Sequence, residues 1–237
     1  RLTARYLTVA NTAEDPSNVS RGNDRVISAR LEDARFFVQE DRKRTLAQRL
    51  TALDGVVFQA KLGSIGDKVR RMTGLVKALD GVYTPDNEAA TRSAHTGAFA
   101  LQATELCKAD LLTLMVGEFP ELQGVMGRWY ALHEGVPQEV ADALRDHYLP
   151  KGAQSPVPQS LVSALLAVAD RLDTLVGCFG VGIVPDGSAD PFALRRAALG
   201  VIRIALEGPM DLDWLSALQV AYDQYDTGAL RDRETTL

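Results

Sequence analysis

Cys107-Lys108-Ala109-Asp110-Leu111-Leu112, followed by Met115-Val116-Gly117-Glu118-Phe119-Pro120-Glu121-Leu122-Gln123-Gly124, is the part of the chain that says most about its architecture. It closes a long helical region expected from about Asp86 to Val116, and Gly117 to Pro120 then turn the chain. Asp110 stands beside an alanine in a run of apolar residues. A carboxylate in that setting either carries chemistry or caps and pairs inside a helical core. What the rest of the chain brings to it decides between the two.

Downstream, helices are expected over Leu122 to His133 and Gln138 to His147, with a proline-rich loop from Pro150 to Pro158. Leu161, Leu165, Val168, Leu172 and Leu175 mark the next helix, which places Asp170 and Asp173 one turn apart. Gly177 to Asp190 holds four glycines and a proline and is expected to be non-helical. Asp190-Pro191 reads as an N-cap with proline at the first helical position. The helix it opens is expected to turn Phe192, Leu199, Ile202 and Leu206 inward, with Arg196 and Arg203 on a more polar face. A further helical segment begins beyond Pro209.

Upstream, Ile65, Val69, Met72, Val76 and Leu79 mark a helix capped by Ser64, with Asp67 free to pair with Arg70 or Arg71, and Asp80-Gly81 and Pro85 close it. Val56-Val57-Phe58 is a short apolar passage. Ile27, Leu31, Ala34 and Val38 fall on one face of an earlier helix beginning near Arg21. The first residues alternate as a strand through Leu2, Ala4, Tyr6 and Val9, and Asn11 to Ser20, containing Asp15-Pro16, break it.

Composition narrows the class. At 237 residues with 46% hydrophobic and 24% charged, the chain can bury a real core and is not of disordered composition. No run of about 18 apolar residues is present, so no membrane helix is expected. Two distant cysteines, Cys107 and Cys178, fit free buried thiols in a reducing cytoplasm better than a disulfide framework. A net charge of −5 gives no overall basic surplus, though a local basic patch can still bind nucleic acid. The chain opens Arg1-Leu2-Thr3 without Met, and reads as a fragment of a longer polypeptide.

The Ala109-Asp110 doublet resembles the His-Asp doublet of HD-type metal phosphohydrolases with its histidine replaced. In those all-helical sites, imidazoles and carboxylates hold a divalent metal that lowers the pKa of bound water and polarises a phosphoryl group. Asp110 stands in the place of the doublet's aspartate and Asp170 in that of the last one. The histidines are missing: none occurs before His95, and only His95, His133 and His147 exist. His147, on an apolar face with Val140 and Leu144, reads first as a buried, hydrogen-bonded histidine and only second as a metal ligand approaching Asp110. Two carboxylates with one imidazole fall short of the three or more protein ligands usual in catalytic sites.

Gly177-Cys178-Phe179-Gly180-Val181-Gly182 follows a helix and so is no dinucleotide fingerprint, and Gly63-Ser64-Ile65-Gly66-Asp67-Lys68 lacks phosphate-loop spacing. Basic residues remain as phosphate-contact candidates: Lys43 and Arg44 beside Arg42, Lys68 with Arg70 and Arg71, and Arg195, Arg196 and Arg203. For each, the alternative is a solvated helix face balanced by nearby acids.

Several long blocks resemble the β subunit of the bacterial-type heterotetrameric glycyl-tRNA synthetase. They are the stretch Gly22-Asn23-Asp24-Arg25-Val26-Ile27-Ser28-Ala29-Arg30 continuing to Phe37, Phe58-Gln59-Ala60-Lys61-Leu62-Gly63-Ser64 with Asp67-Lys68-Val69, the Lys108-Ala109-Asp110 block to Gly127, and His147-Tyr148-Leu149-Pro150. Ala169-Asp170-Arg171-Leu172-Asp173 and Gly187-Ser188-Ala189-Asp190-Pro191-Phe192 complete a collinear set covering nearly the whole chain. The resemblance implies a mainly α, HD-domain-like helical bundle preceded by a short α+β segment. It implies residues 1–57 as the end of a preceding module, 58–208 as the HD-like domain and 209–237 as the truncated start of a following helical segment.

It further implies a non-catalytic tRNA-binding and assembly module for tRNA(Gly) in a cytoplasmic ligase. Class II aminoacylation, with its ATP and Mg²⁺, is expected at the α subunit, with no cofactor in this fragment and the anticodon-binding module beyond Leu237. The rival reading is a residual metal-dependent phosphohydrolase, acting on a nucleotide or RNA end through Asp110, Asp170 and His147.

Overall fold

The computed structural model describes residues 5–11, 15–79 and 95–237. Leu2, Ala4, Asp80-Gly81, Pro85 and the expected helix start at Asp86 lie outside them. Among the described residues the fold is mainly α, as expected, with one small antiparallel hairpin at a place where the sequence suggests only a short apolar passage.

Helix α1 (Pro16–Asp41) opens with Pro16 at its first position, and Asp15 accepts the Asn18 amide at 3.1 Å. Asp15-Pro16 therefore starts a helix five residues earlier than the turn reading placed it. Residues 5–11 form no strand, and Leu7 and Val9 are about 90% exposed. The expected apolar stripe of α1 is only partly used: Val38 packs on the core while Leu31 faces solvent.

A 3-10 segment, Ala47–Gly55, drives Leu46 and Leu53 into the interior, and β1 (Val57–Gln59) pairs with β2 (Gly63–Ser64). Ser64 and Asp67 then cap helix α2 (Ile65–Leu79) reciprocally: Asp67 accepts the Ser64 amide at 2.8 Å and Ser64 Oγ accepts the Asp67 amide at 3.0 Å. The stretch Gly63 to Lys68 is a helix start.

The expected single helix across Cys107 is broken. Helix α3 (Thr96–Leu106) ends there, a 3-10 turn follows at Ala109–Leu112, and α4 (Leu114–Glu118) restarts under its own cap, where Thr113 Oγ1 accepts the Val116 amide. A side-chain oxygen able to cap competes with continued helix, and here the cap prevails. Helices α5 (Val125–His133) and α6 (Gln138–Asp146) follow near their expected bounds.

Helix α7 (Leu161–Gly180) is the axis of the domain, packed against α2, α3 and α6. Its Leu165, Leu166 and Leu172 are fully buried, each contributing about 1.5–3 kcal/mol of transfer free energy. It runs through Gly177 and Gly180, against expectation. The reason is tertiary: a Cβ at Gly177 would lie 2.2 Å from the Tyr225 hydroxyl, so close packing outweighs the helix cost of glycine, about 1 kcal/mol.

Helix α8 (Leu194–Glu207) begins four residues after Asp190, whose carboxylate accepts the amides of Leu194 and Arg195 at 2.7 and 3.0 Å. Its orientation corrects the sequence reading. Leu199, Ile202 and Leu206 are exposed, whereas Leu194 and Ile204 are buried, with Ala197, Ala198 and Val201 between them against α7. Small side chains on that stripe permit the close approach. Helix α9 (Trp214–Asp223) and the short α10 (Arg233–Thr236) complete the chain. Met210, Leu212, Ala217 and Ala221 belong to the same core as α7.

Candidate functional site

Two helices carry charges at matching spacing: Lys68 and Arg71 on α2, Asp170 and Asp173 on α7. A spacing of three puts each pair on one helix face, and where the faces meet they interlock. Lys68 Nζ lies 2.9 Å from Asp170 Oδ1 and 3.1 Å from Asp173 Oδ2. It also donates to Thr174 Oγ1 at 2.7 Å. Arg71 Nε donates to Asp173 Oδ1 at 2.6 Å, and the Tyr225 hydroxyl donates to the same oxygen at 3.1 Å.

Lys108 completes the cluster from the break after α3. Its ammonium is buried 2.8 Å from Asp170 Oδ2 and donates to His147 Nε2 at 3.0 Å. His147, at the C-terminal end of α6, donates from Nδ1 to the Ala143 carbonyl at 3.2 Å. That bond fixes the neutral tautomer and leaves the Nε2 lone pair for Lys108. Asp170 is thus one carboxylate bridged between two ammonium groups.

The electrostatics follow. Burial works to raise the Asp170 pKa, but Lys108 and then Lys68 outweigh it and hold the carboxyl well below its usual range. Burial works to lower Lys108, and Asp170 more than reverses that, so the ammonium stays charged. Burial and the Lys108 charge keep His147 well below its ordinary value. A buried charge needs a partner and further hydrogen bonds, and each member here has them.

Asp110 does a different job. Its Oδ2 accepts the amides of Gly124 and Gly127 at 2.6 and 3.1 Å, which caps the start of α5. Gly124 adopts φ +79°, and a side chain there would strike Tyr148. Asp110 Oδ1 is buried without a hydrogen-bond partner among the described residues, and burial raises this carboxyl's pKa.

These residues do not fit a divalent metal. The Asp170 oxygens and the His147 lone pair point at ammonium groups, and Asp110 points its Oδ2 at backbone amides. Among the described residues no cluster of three or more His, Cys, Asp or Glu is arranged to hold one. Lys108 is not among the residues that motif and spacing single out. Its signal in the sequence is its position, a lysine one residue before a doublet that lacks its histidine.

The other sequence candidates separate. Lys68 is buried and Arg71 half-buried, and both pair with Asp173. Arg203 pairs with Glu207 at 2.6 Å and donates to the Gly152 and Ser155 carbonyls, pinning the loop before α7. Lys43 is exposed beside Glu40, and Arg44 is exposed with a bond to the Gln48 carbonyl. Arg195 donates to the Gly187 carbonyl, and the exposed Arg196 guanidinium makes no hydrogen bond or ion pair with any described residue. His95 stacks on Phe99 and His133 on Trp129. Cys107 and Cys178 are buried free thiols, pushed by burial up to about 12 and about 11.

Fold and site together define a helical domain whose interior carboxylate–imidazole cluster is neutralised by its own lysines. The family model described as "Glycyl-tRNA synthetase beta subunit" matches residues 1–236. The glycine–tRNA ligase beta subunit of Stutzerimonas stutzeri is 46% identical over 228 residues, covering 96% of this chain and 32% of that protein. The corresponding protein of Janthinobacterium sp. is 48% identical over 212 residues, 89% of this chain and 29% of its own length. That of Geotalea daltonii is 46% identical over 238 residues, 100% of this chain and 33% of its own length. The chain belongs to the glycyl-tRNA synthetase β-subunit family, and it spans about a third of the length of the curated relatives it matches. No described helix is long and apolar enough to cross a membrane.

Proposed function

We propose that this chain is a non-catalytic tRNA-binding and assembly module of a glycyl-tRNA synthetase β subunit, acting in the cytoplasm. In this reading residues 58–208 form an HD-like domain between a preceding module and a following helical segment. It supports ATP-dependent glycylation of tRNA(Gly), with ATP and Mg²⁺ bound at the partner α subunit. The observation that carries the non-catalytic part is the Lys108 ammonium seated between Asp170 Oδ2 and His147 Nε2. Those acceptors are the ones a metal hydrolase needs free.

Exposed Arg195 and Arg196 at the start of α8, and Lys43 and Arg44 after α1, are the proposed phosphate contacts. Each contact adds affinity and salt dependence without reading sequence. The test measures tRNA(Gly) binding by the full-length β chain with its α subunit across a salt series. Charge reversal at Arg195 and Arg196, or at Lys43 and Arg44, is expected to weaken binding. It should also lower the salt slope by about one unit for each phosphate no longer neutralised. Unchanged affinity and slope in both double variants would remove these patches from the proposal.

A further inference from the structure

A cavity of about 600 Å³ opens directly above the lysine cluster, lined by residues from α2, the segment after α3, α7 and the start of α8. Its floor holds more positive charge than the protein neutralises. Lys68, Lys108 and Arg171 line it with Asp170, and Arg71 and Asp173, outside the lining, pair with each other and, through Asp173, with Lys68. Arg171 spends its guanidinium on the carbonyls of His147, Tyr148, Leu149 and Pro150, and no carboxylate among the described residues is bonded to it. With Asp110 ionised the surplus is one charge, and with Asp110 protonated it is two. Buried cations without counter-charge are unfavourable, and an anion entering the cavity relieves that.

The mouth points the same way. The Arg196 guanidinium and the Lys151 ammonium both line the cavity, both are exposed, and neither has a hydrogen-bond or ion-pair partner among the described residues. Against Lys151 and Arg196, Glu121 is the one further acid in the lining beside Asp170. Tyr148 adds a donor: its hydroxyl oxygen accepts from Gln123 Nε2 at 2.5 Å and from Lys108, and its own proton has no acceptor among the described residues. Phe58 and Phe192, which also line the cavity, meet edge to face at 6.3 Å, and the Lys68 ammonium stands 4.8 Å from the Phe58 ring centroid. Cationic donors and aromatic rings lining one cavity, in a volume suited to a small ligand, fit a nucleotide.

We propose that this cavity binds a nucleotide through its phosphate, held by Arg196, Lys151 and the Tyr148 hydroxyl, with the base against Phe58 and Phe192. The nucleotide is free or is the end of an RNA strand; the recognition chemistry is the same. No bond is made or broken. The site shares Arg196 with the tRNA-binding reading, but Lys151 and Phe192 play no part in that reading, so AMP titration of their variants tests the cavity separately from it.

The experiment is calorimetric titration of the full-length chain with AMP, with inorganic phosphate and with a short single-stranded RNA. Saturable AMP binding is expected, weakened about tenfold by Arg196→Glu and by Lys151→Glu as each removes a charge-assisted bond. Phe192→Ala is expected to weaken AMP while leaving inorganic phosphate unchanged. Both charge variants alter exposed, internally unpartnered residues, so circular dichroism should match the parent. Competition of AMP by the RNA identifies a strand end as the source, and its absence identifies the free nucleotide. No saturable binding of AMP or of the RNA, or AMP binding indifferent to both charge reversals, overturns the proposal.

Discussion

The Lys108 ammonium lies 2.8 Å from Asp170 Oδ2 in the interior of the domain, while Lys68 holds the other oxygen of the same carboxylate at 2.9 Å. One aspartate on α7 thereby ties the break after α3 to α2. Replacing Lys108 by Met leaves the His147 lone pair unused and removes one of the two counter-charges of a buried carboxylate. The expected loss is about 3–5 kcal/mol of unfolding free energy, read from urea denaturation. A loss below about 1 kcal/mol would mean that the pair behaves like a surface ion pair.

His147 gives the domain a pH dependence of defined sign. Its folded-state pKa is held well below 6.5 by burial and then by Lys108, so below about pH 6.5 the unfolded chain binds a proton the folded chain refuses. Stability is expected to fall with pH in that range by about 1.4 kcal/mol per unit. Asp170, with its depressed folded pKa, adds a further loss as pH falls below about 4. Asp110 and Glu134 have raised folded pKa values and oppose the trend only near the carboxylate range. Urea midpoints compared between about pH 7 and about pH 5.5 should show the slope in the parent and a flatter one in His147→Gln. Equal slopes would contradict the buried neutral imidazole.

Asp110 acts as a cap. Asp110→Ala releases the Gly124 and Gly127 amides and is expected to cost about 1–3 kcal/mol. Asp110→Asn keeps an acceptor oxygen for them and should cost clearly less. Equal destabilisation by both changes would show that the amide bonds are not what the residue contributes.

The rotation of α8 is testable by contrast within one helix. Leu199→Gln changes an exposed side chain and should stay within about 0.5 kcal/mol of the parent. Ile204→Ala empties a fully buried position and should cost about 2–5 kcal/mol. Thermal melts that reversed this order would restore the inward face that hydrophobic periodicity alone suggests.

Periodicity locates α2, α5, α6 and α7 because their apolar stripes face one core and nothing competes with them. It fails at α8 because the helix packs through Ala197, Ala198 and Val201, whose small side chains carry less hydrophobic signal than Leu199, Ile202 and Leu206. It fails at Gly177 because the close approach of Tyr225 comes from nearly fifty residues away in sequence. The site is half legible. Counting histidines reduces Asp110 and Asp170 to structural carboxylates and leaves His147 as a buried, bonded imidazole. That Lys108 fills the space between Asp170 and His147, and that Lys68 and Arg71 turn inward, depends on helix packing that local sequence does not encode.

Inside this domain, lysine ammonium groups take up the Asp170 and His147 acceptors that a divalent metal would need. Metal analysis of the purified full-length chain, followed by Mn²⁺ titration of the parent and of Asp170→Asn, puts that substitution of charge to the test. No stoichiometric metal and no saturable Mn²⁺ binding dependent on Asp170 are expected. One metal per chain, absent from Asp170→Asn, would contradict it.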